Sequence, residues 1–324
     1  MNNFSLNKIS YLLGSDRENI SSFSKNFPDW DIKKIISKTG INKIHKVKKD
    51  ETAVDLAVAV FNNFLNEYSY DKKNIDSLIF VTQSPDYCLP TSACIVQNRV
   101  KLRKDILVFD INLGCSGFVN GLSVAYSLIR SNTVKNCALI CSETYSKYIS
   151  PHNRTCSTIF SDGASITLVE KEGNTELGPF HFGVDGSGYK DLIVENSGSK
   201  KTDGKEIELY MNGPKILLFT LSHIPDLINK FLKKNKMSLE DIDLFFFHQA
   251  SKTVLEALRA KMKIPKNKFI YDLDKIGNTI SSTIPISIKL ALEENKIKKG
   301  NKILIIGFGV GYSSGIGLLK WDSK

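Results

Sequence analysis

The sequence repeats one order of strand-like and helix-like segments, and the second copy begins about half the chain after the first. The segment 75–84 contains Ile-Asp, an apolar run and a polar exit with Gln, and the segment 242–251 has the same order. The other matching pairs are 52–68 with 214–232, 136–142 with 301–307, and 163–169 with 315–321. Strands that alternate with helices in two similar halves predict an α/β fold layered around central sheets. We expect the halves to be residues 1–172 and 173–324.

Composition allows a large buried core and gives no indication of a membrane segment. The chain has 324 residues, of which 42% are hydrophobic and 24% are charged. No run approaches the roughly 18 apolar residues that a membrane helix needs, and residues 1–8 lack an apolar signal segment. We therefore expect a cytoplasmic protein with no membrane partner. The six cysteines form no CxxC pair and lie at no ligand spacing from the histidines, which predicts free thiols and no metal site.

The net charge of +10 is compatible with an acidic partner or with a composition rich in lysine. Basic residues are spread along the chain, and no recognised nucleic-acid-binding motif is present, so we expect no nucleic-acid partner. The densest basic run, at 33–49, is compatible with the border of a phosphate site or with an ordinary solvated face.

Cys115 lies between an apolar run at 106–109, typical of a buried parallel strand, and a helical pattern that begins at Phe118. The N-terminus of a helix favours an anion, which predicts a lowered thiol pKa and a nucleophilic cysteine. Gly114 and Gly117 flank Cys115, as expected of a tight turn.

Two further side chains lie where α/β folds build their sites. His248 ends an apolar run, and Asn278 follows a glycine. The position of His248 is compatible with a site residue or with an ordinary structural histidine. Asn278 is compatible with turn or helix-cap chemistry or with an amide that donates to a carbonyl oxygen. The Gly-rich segment 307–315 precedes a strand pattern and not a helix, which argues against a dinucleotide loop and favours backbone N–H groups that bind an oxyanion.

These segments together resemble β-ketoacyl-[acyl-carrier-protein] synthase III of the thiolase superfamily. The similarity covers nearly the whole chain. The matching segments are 110–118 around the cysteine, 247–250 around the histidine, 277–279 around the asparagine, the loop 307–315, and the shorter segments 38–41 and 160–164.

The resemblance implies a thiolase-like duplicated fold, in which two βαβαβαββ halves form α-β-α-β-α layers, and a homodimeric acyltransferase. It implies that Cys115 takes an acyl group from a thioester while the backbone N–H groups of Cys115 and Val310 hold the oxyanion. His248 and Asn278 then bind the carbonyl oxygen of a malonyl thioester, which loses CO2 and attacks the acyl-cysteine. The thioester is acyl-CoA or carries the phosphopantetheine of an acyl carrier protein, and no other cofactor is expected.

Substrate-binding roles are carried over by position. They fall on Lys34, Lys38, Leu89, Arg154, Ser251 and Gly309. Lys34 and Lys38 replace the aromatic residue and arginine that bind CoA in well-known relatives, and Ser251 replaces an asparagine. Leu89 matches a residue that reaches into the acyl pocket of the partner subunit. Glu143 is interpreted as structural.

Three other functions stay open at this point. The first is acyl transfer from Cys115 to a hydroxyl or an amine, with His248 as the base. The second is a cysteine hydrolase, since the order Cys, His, Asn also occurs in papain-like proteases. The third is a non-enzymatic scaffold that binds a carrier protein.

Overall fold

The computed structural model describes residues 3–322. Its strands are β1 Asn3–Ser5, β2 Ile9–Leu13, β3 Asp16–Asn19, β4 Lys43–Lys46, β5 Ser77–Val81, β6 Leu107–Ile111, β7 Asn136–Glu143, β8 Gly163–Val184, β9 Leu192–Val194, β10 Leu209–Met211, β11 Leu244–Phe247, β12 Lys302–Gly309 and β13 Ser313–Lys320. Its helices are α1 Phe23–Asn26, α2 Ile32–Thr39, α3 Ala53–Tyr68, α4 Ser92–Arg99, α5 Gly117–Arg130, α6 Arg154–Ser157, α7 Gly213–Lys234, α8 Lys252–Lys261, α9 Leu273–Ile276 and α10 Thr283–Glu293.

The two halves share one strand topology. In the first half, β5 lies between the parallel strands β6 and β7, and β7 pairs antiparallel with the first part of β8. In the second half, β11 is parallel to β12, and β12 pairs antiparallel with β13. A parallel bridge between Phe245 and Phe269 supplies the counterpart of β6. The duplicated α/β architecture expected from the repeat is confirmed.

Alternate side chains on the strands face two different layers. Ile79 and Val81 on β5 pack on α5 in the central core, whereas Leu78 and Phe80 pack towards α3 and α4 on the outside. On β11, Phe246 faces the central core, and its neighbours face α7 and α8. Both α5 and α10 contribute to the central core. The molecule therefore stacks helices, strands, helices, strands and helices, which explains why its strands are apolar on both faces.

Three sequence expectations about strands differ from the structure. The glycines and charges of residues 171–205 predict a connection between the halves with some short strands, but residues 171–184 continue β8, which pairs with β13 from Glu176 onwards. The sequence of residues 15–30 predicts a loop and the start of a helix, but Asp16–Asn19 form β3. The strand before Cys115 was expected to be buried, but β6 is an edge strand whose residues are exposed or half-buried. One strand crosses the expected boundary at residue 172, and the division into 1–172 and 173–324 stays a prediction.

No helix within residues 3–322 is both long enough and apolar enough to span a bilayer. All six cysteines are free thiols. Within the same described range, no group of three or more His, Cys, Asp or Glu side chains is arranged to bind a metal ion.

Candidate active site

Cys115 lies in the turn between β6 and α5, and only 6% of its surface is exposed. The strand before it is anchored through Asp110, whose carboxylate accepts backbone N–H groups of Ser92 and Ala93 at the start of α4 at 2.6 and 2.8 Å. The backbone N–H groups of Val310 and of Cys115 itself face the thiol sulfur. Two converging N–H groups at a nucleophile form the geometry of an oxyanion hole.

The environment of Cys115 raises its pKa, contrary to the expectation from the helix terminus. Burial, with a smaller contribution from the carboxyl group of Glu143, raises the pKa of the thiol to about 12, although the N–H groups of Val310 and Cys115 oppose the rise. Loss of water around a thiolate outweighs the positive end of a helix when the sulfur is enclosed. The thiol is therefore protonated at neutral pH, and a base has to remove its proton.

His248 follows β11 and is 2% exposed. Its backbone N–H donates to the carbonyl oxygen of Ile306 on β12 at 2.8 Å, and its Nδ1 lies 2.8 Å from the Thr283 hydroxyl at the start of α10. Burial lowers the pKa of the imidazole to about 3, so the ring is neutral at pH 7. Because Nδ1 is engaged, Nε2 is the nitrogen left for a substrate or for the thiol proton.

The amide of Asn278 is held at both ends. Its Nδ2 donates to the carbonyl oxygen of Ala250 at 3.3 Å, and its Oδ1 accepts the backbone N–H of Ile280 at 3.0 Å. The backbone of Asn278 also pairs with residues 159–161 of the first half. This orientation leaves one Nδ2 proton for a bound carbonyl oxygen.

Cys115, His248 and Asn278 line one cavity of about 190 Å³. Ser251 and Gly309, two of the positions expected to bind substrate, line it as well. Its walls are mostly apolar and include Phe160, Leu192, Met211, Ile216 and Phe308. An apolar cavity with a few convergent polar groups is the usual form of a small-molecule site.

Two glycines are required by close packing at the nucleophile. A Cβ at Gly309 would lie 2.7 Å from both the Cβ and the sulfur of Cys115. A Cβ at Gly114 would overlap the side-chain oxygen of Gln83. Any larger residue at either position would displace the thiol or the segment beside it.

The remaining predicted substrate-binding residues do not line this cavity. Lys34 and Lys38 are exposed on α2, and Arg154 is exposed on α6. Leu89 is 82% exposed in the loop between β5 and α4. Thr253, which lines the cavity, connects α8 to α2 by donating to the Lys38 carbonyl oxygen at 2.9 Å.

Sequence analysis did not identify Thr283 or assign Glu143 a place in the site. Thr283 is buried and contacts Nδ1 of His248, and Glu143 is buried at the end of β7 among hydrogen-bond donors. A run of hydroxyl residues at 279, 281, 282 and 283 was the available signal, because serine and threonine are uncommon in such number beside an apolar helix.

Comparison with known proteins identifies the family. The model of 3-oxoacyl-[acyl-carrier-protein] synthase III matches residues 109–186, and the model of its C-terminal part matches residues 232–321. The β-ketoacyl-[acyl-carrier-protein] synthase III of Fusobacterium nucleatum is 34% identical over 311 residues, covering 91% of this chain and 94% of the relative. The chain belongs to the β-ketoacyl-[acyl-carrier-protein] synthase III family.

Other relatives are similar to this chain over nearly its full length. The synthase III of Clostridium perfringens is 33% identical and covers 94% of both chains. A crystal structure of a 3-oxoacyl-(acyl-carrier-protein) synthase III superposes with a TM-score of 0.94 at 35% identity, covering 98% of this chain and 100% of the other. The enzyme from Thermus thermophilus gives a TM-score of 0.90 at 26% identity, covering 99% and 100%. The fold is thiolase-like, and the protein is a condensing acyltransferase of fatty acid biosynthesis.

Proposed function

We propose that this protein condenses an acyl thioester with malonyl-[acyl-carrier-protein] through an acyl-Cys115 intermediate, in fatty acid or specialised acyl-chain synthesis. One observation carries the proposal: Cys115, His248 and Asn278, which come from separate elements of both halves, line one buried cavity. The names of the relatives support the same reaction.

The first half-reaction transfers the acyl group to the thiol. Neutral His248 takes the proton of Cys115 at Nε2 while the sulfur forms a bond to the thioester carbonyl carbon. The carbonyl oxygen becomes an oxyanion held by the N–H groups of Cys115 and Val310. The bond from carbon to the donor sulfur then breaks, and the donor leaves as a thiolate that takes a proton from water, while Nε2 of His248 keeps the proton from Cys115.

The second half-reaction forms the carbon–carbon bond. The carbonyl oxygen of the malonyl thioester binds between Nε2 of His248 and Nδ2 of Asn278, and the bond to the carboxylate carbon breaks to release CO2. The electron pair remains on the enolate, whose negative charge these groups stabilise. The carbanion attacks the acyl carbon and expels the Cys115 thiolate, which regains the proton held at Nε2 of His248. Groups that act on a charge present only during the reaction raise kcat.

The substrate arm is proposed to be phosphopantetheine, carried by CoA or by an acyl carrier protein, and no resident cofactor is required. The apolar walls of the cavity suit that arm. Exposed Lys34, Lys38, Lys252 and Arg154 are cations suited to phosphates or to an acidic carrier protein. Cytoplasmic location also stays a prediction.

A homodimer is proposed from the exposed edge of the first half. Strand β6 has no partner on its outer side within residues 3–322, although it carries Leu107, Phe109 and Ile111. Tyr87 and Leu89, in the preceding loop, are 62% and 82% exposed. An apolar edge strand beside exposed apolar side chains favours pairing with a second copy.

The test is intact-mass spectrometry after exposure to a panel of acyl-CoA and acyl-carrier-protein thioesters, followed by addition of malonyl-[acyl-carrier-protein]. We expect an acyl adduct that Cys115→Ala abolishes, then release of CO2 and a thioester two carbons longer. An ester or amide product would instead support acyl transfer to a hydroxyl or an amine. Acylation without any decarboxylation would contradict the condensation.

A further inference from the structure

Glu143 is a buried carboxyl group that the proposed reaction does not use. It ends β7, has no exposed surface and forms no ion pair among the residues that the structure describes. Removing a carboxylate from water without a neighbouring cation costs free energy. Hydrogen-bond donors have to offset that cost, and a group retained despite it is a candidate for a functional role.

The two carboxylate oxygens of Glu143 bind two different segments. Oε2 accepts the backbone N–H of Gln83 at 3.0 Å and the hydroxyl of Ser84 at 3.0 Å, with the Thr82 hydroxyl at 3.4 Å. Oε1 accepts the hydroxyl of Ser281 at 3.0 Å. The first segment belongs to the exit of β5, and the second belongs to the turn that leads into α10. Glu143 therefore connects the two halves of the chain.

Both segments pack against the turn that carries Cys115. A Cβ placed on Gly114, the residue before Cys115, would meet the side-chain oxygen of Gln83 and the Cγ2 of Ile280 before any other group. Gln83 also accepts the hydroxyl of Tyr145 at 2.8 Å, and Tyr145 and Ile280 pack in one apolar cluster with Cys115. A shift of either segment would move the sulfur.

The second segment also sets the other two groups of the site. The N–H of Ile280 holds Oδ1 of Asn278, and the hydroxyl of Thr283 contacts Nδ1 of His248. Ile280 has a φ of 53°, a left-handed conformation that is costly for a β-branched residue and persists only when its surroundings hold it. Ser281, the next residue, is the one bound to Glu143.

We propose that Glu143 is a positioning residue whose carboxyl group joins the Gln83 segment to the Ser281 turn and thereby aligns Cys115 with His248 and Asn278. The charge of Glu143 also raises the pKa of the Cys115 thiol. The titratable groups that face Glu143 are Cys115 before α5, Cys141 on its own strand, and Tyr145 and Tyr148 in the turn after it. Burial raises the pKa of Glu143 to about 8, so its charge changes near neutral pH.

The first arm of the test does not depend on the proposed condensation. The alkylation rate of Cys115 is measured from pH 6 to 9 in the wild type and in Glu143→Gln, with peptide mapping to separate Cys115 from exposed Cys88. At pH 6, where Glu143 is neutral, the alkylation rate of the variant is expected to be close to that of the wild type. At pH 9 the carboxylate of the wild type disfavours the thiolate, so the ratio of the variant rate to the wild-type rate is expected to rise several-fold. A ratio that is constant with pH would overturn the role of the charge, since a structural defect alone does not follow this titration.

The second arm rests on the proposed function and tests alignment. Ser281→Ala removes the bond to Glu143, whereas Ser282→Ala removes a bond from the same turn to the Cys141 carbonyl oxygen and serves as the matched control. We expect Ser281→Ala to lower malonyl decarboxylation by about 10-fold and Ser282→Ala to lower it much less, because small displacements of catalytic groups reduce rates strongly. Equal losses in the two variants would overturn the proposal.

The two arms separate the possible failures. A wild type that never decarboxylates malonyl thioester contradicts the condensation, while the alkylation ratio still decides whether the Glu143 charge acts on Cys115. If Glu143→Gln does not fold, the comparison of Ser281→Ala with Ser282→Ala decides the positioning role.

Discussion

Burial moves the pKa values of two side chains in the site far from their values in water. Cys115 is buried as a neutral thiol and His248 as a neutral imidazole, since burial moves their pKa values to about 12 and about 3. In the proposed reaction, this neutral pair transfers a proton only when the substrate arrives and maintains no thiolate in its absence. A buried, protonated thiol is also a poor target for oxidation, since susceptibility follows thiolate character and exposure.

Asn278→Ala is expected to separate the two half-reactions. The variant loses a donor to the enolate oxygen but keeps the thiol and the oxyanion N–H groups. Acylation of Cys115 should change little, whereas decarboxylation should fall by about 10²–10³-fold, as for loss of one such donor elsewhere. Single-turnover acylation by mass spectrometry and release of labelled CO2 measure the two steps. Equal losses in both would contradict the assignment.

His248 is expected to make stability depend on pH in the acid range. Its pKa falls from 6.5 in the unfolded chain to about 3 in the folded protein, so the unfolded chain binds more protons between these values. Stability from this residue is complete above pH 6.5 and decreases as the pH falls towards 3. Denaturant unfolding at pH 7 and pH 5 should show a larger loss for wild type than for His248→Gln. Identical losses would mean that His248 is not neutral in the folded state.

Helix α3 illustrates how a local sequence signal fixes an element. Thr52 accepts the N–H of Asp55 at 3.3 Å, and Asp55 accepts the N–H of Thr52 at 2.9 Å, which forms a capping box. The same hydroxyl donates to Asp86 at 2.8 Å in the loop before Leu89. The cap therefore fixes both the start of the helix and the base of that loop.

Thr52→Ala is expected to destabilise the protein by about 1 kcal/mol, because the helix loses an N-cap oxygen. Thr52→Ser keeps the hydroxyl and is the control, with an expected loss well below that of alanine. Chemical denaturation of both variants measures the difference. A loss with serine as large as that with alanine would point to the methyl group and not to the cap.

The whole molecule is two copies of one topology that meet at a central pair of helices, α5 and α10. Each helix begins at the site, since α5 starts beside Cys115 and α10 starts at Thr283. The duplication brings the residues after β6 and β11 to the wall of one cavity. Cys115 from one copy thus meets His248 and Asn278 from the other, although the motifs around them share no sequence similarity.

Leu89→Asp is expected to weaken the proposed homodimer, because a carboxylate would replace an apolar side chain in the interface. Light scattering after gel filtration should show a shift from dimer to monomer at micromolar concentration. Leu218→Asp is the control, since Leu218 is 71% exposed on α7, a helix of the second half. A wild type that is monomeric, or equal shifts in both variants, would contradict the interface.

Most strands and helices and the positions of the site residues were predictable from the sequence, because they depend on local residue patterns. The apolar runs, the Gly positions and the capping residues determine the strands, the helices and the turns that carry Cys115, His248 and Asn278. The repeat determines the layered duplicated fold. The resemblance of short motifs then indicated the family, and comparison with known proteins confirmed it.

Other features were decided only by the tertiary structure. The pKa of Cys115 depends on how completely the sulfur is enclosed, which a helix terminus in the sequence does not reveal. The continuation of β8 depends on its pairing with β13, a partner more than 100 residues away. The place of Glu143 between Gln83 and Ser281 arises where three distant segments meet. Local pattern fixes elements because it acts between neighbours in the chain, whereas burial and long-range hydrogen bonding exist only once the halves have packed.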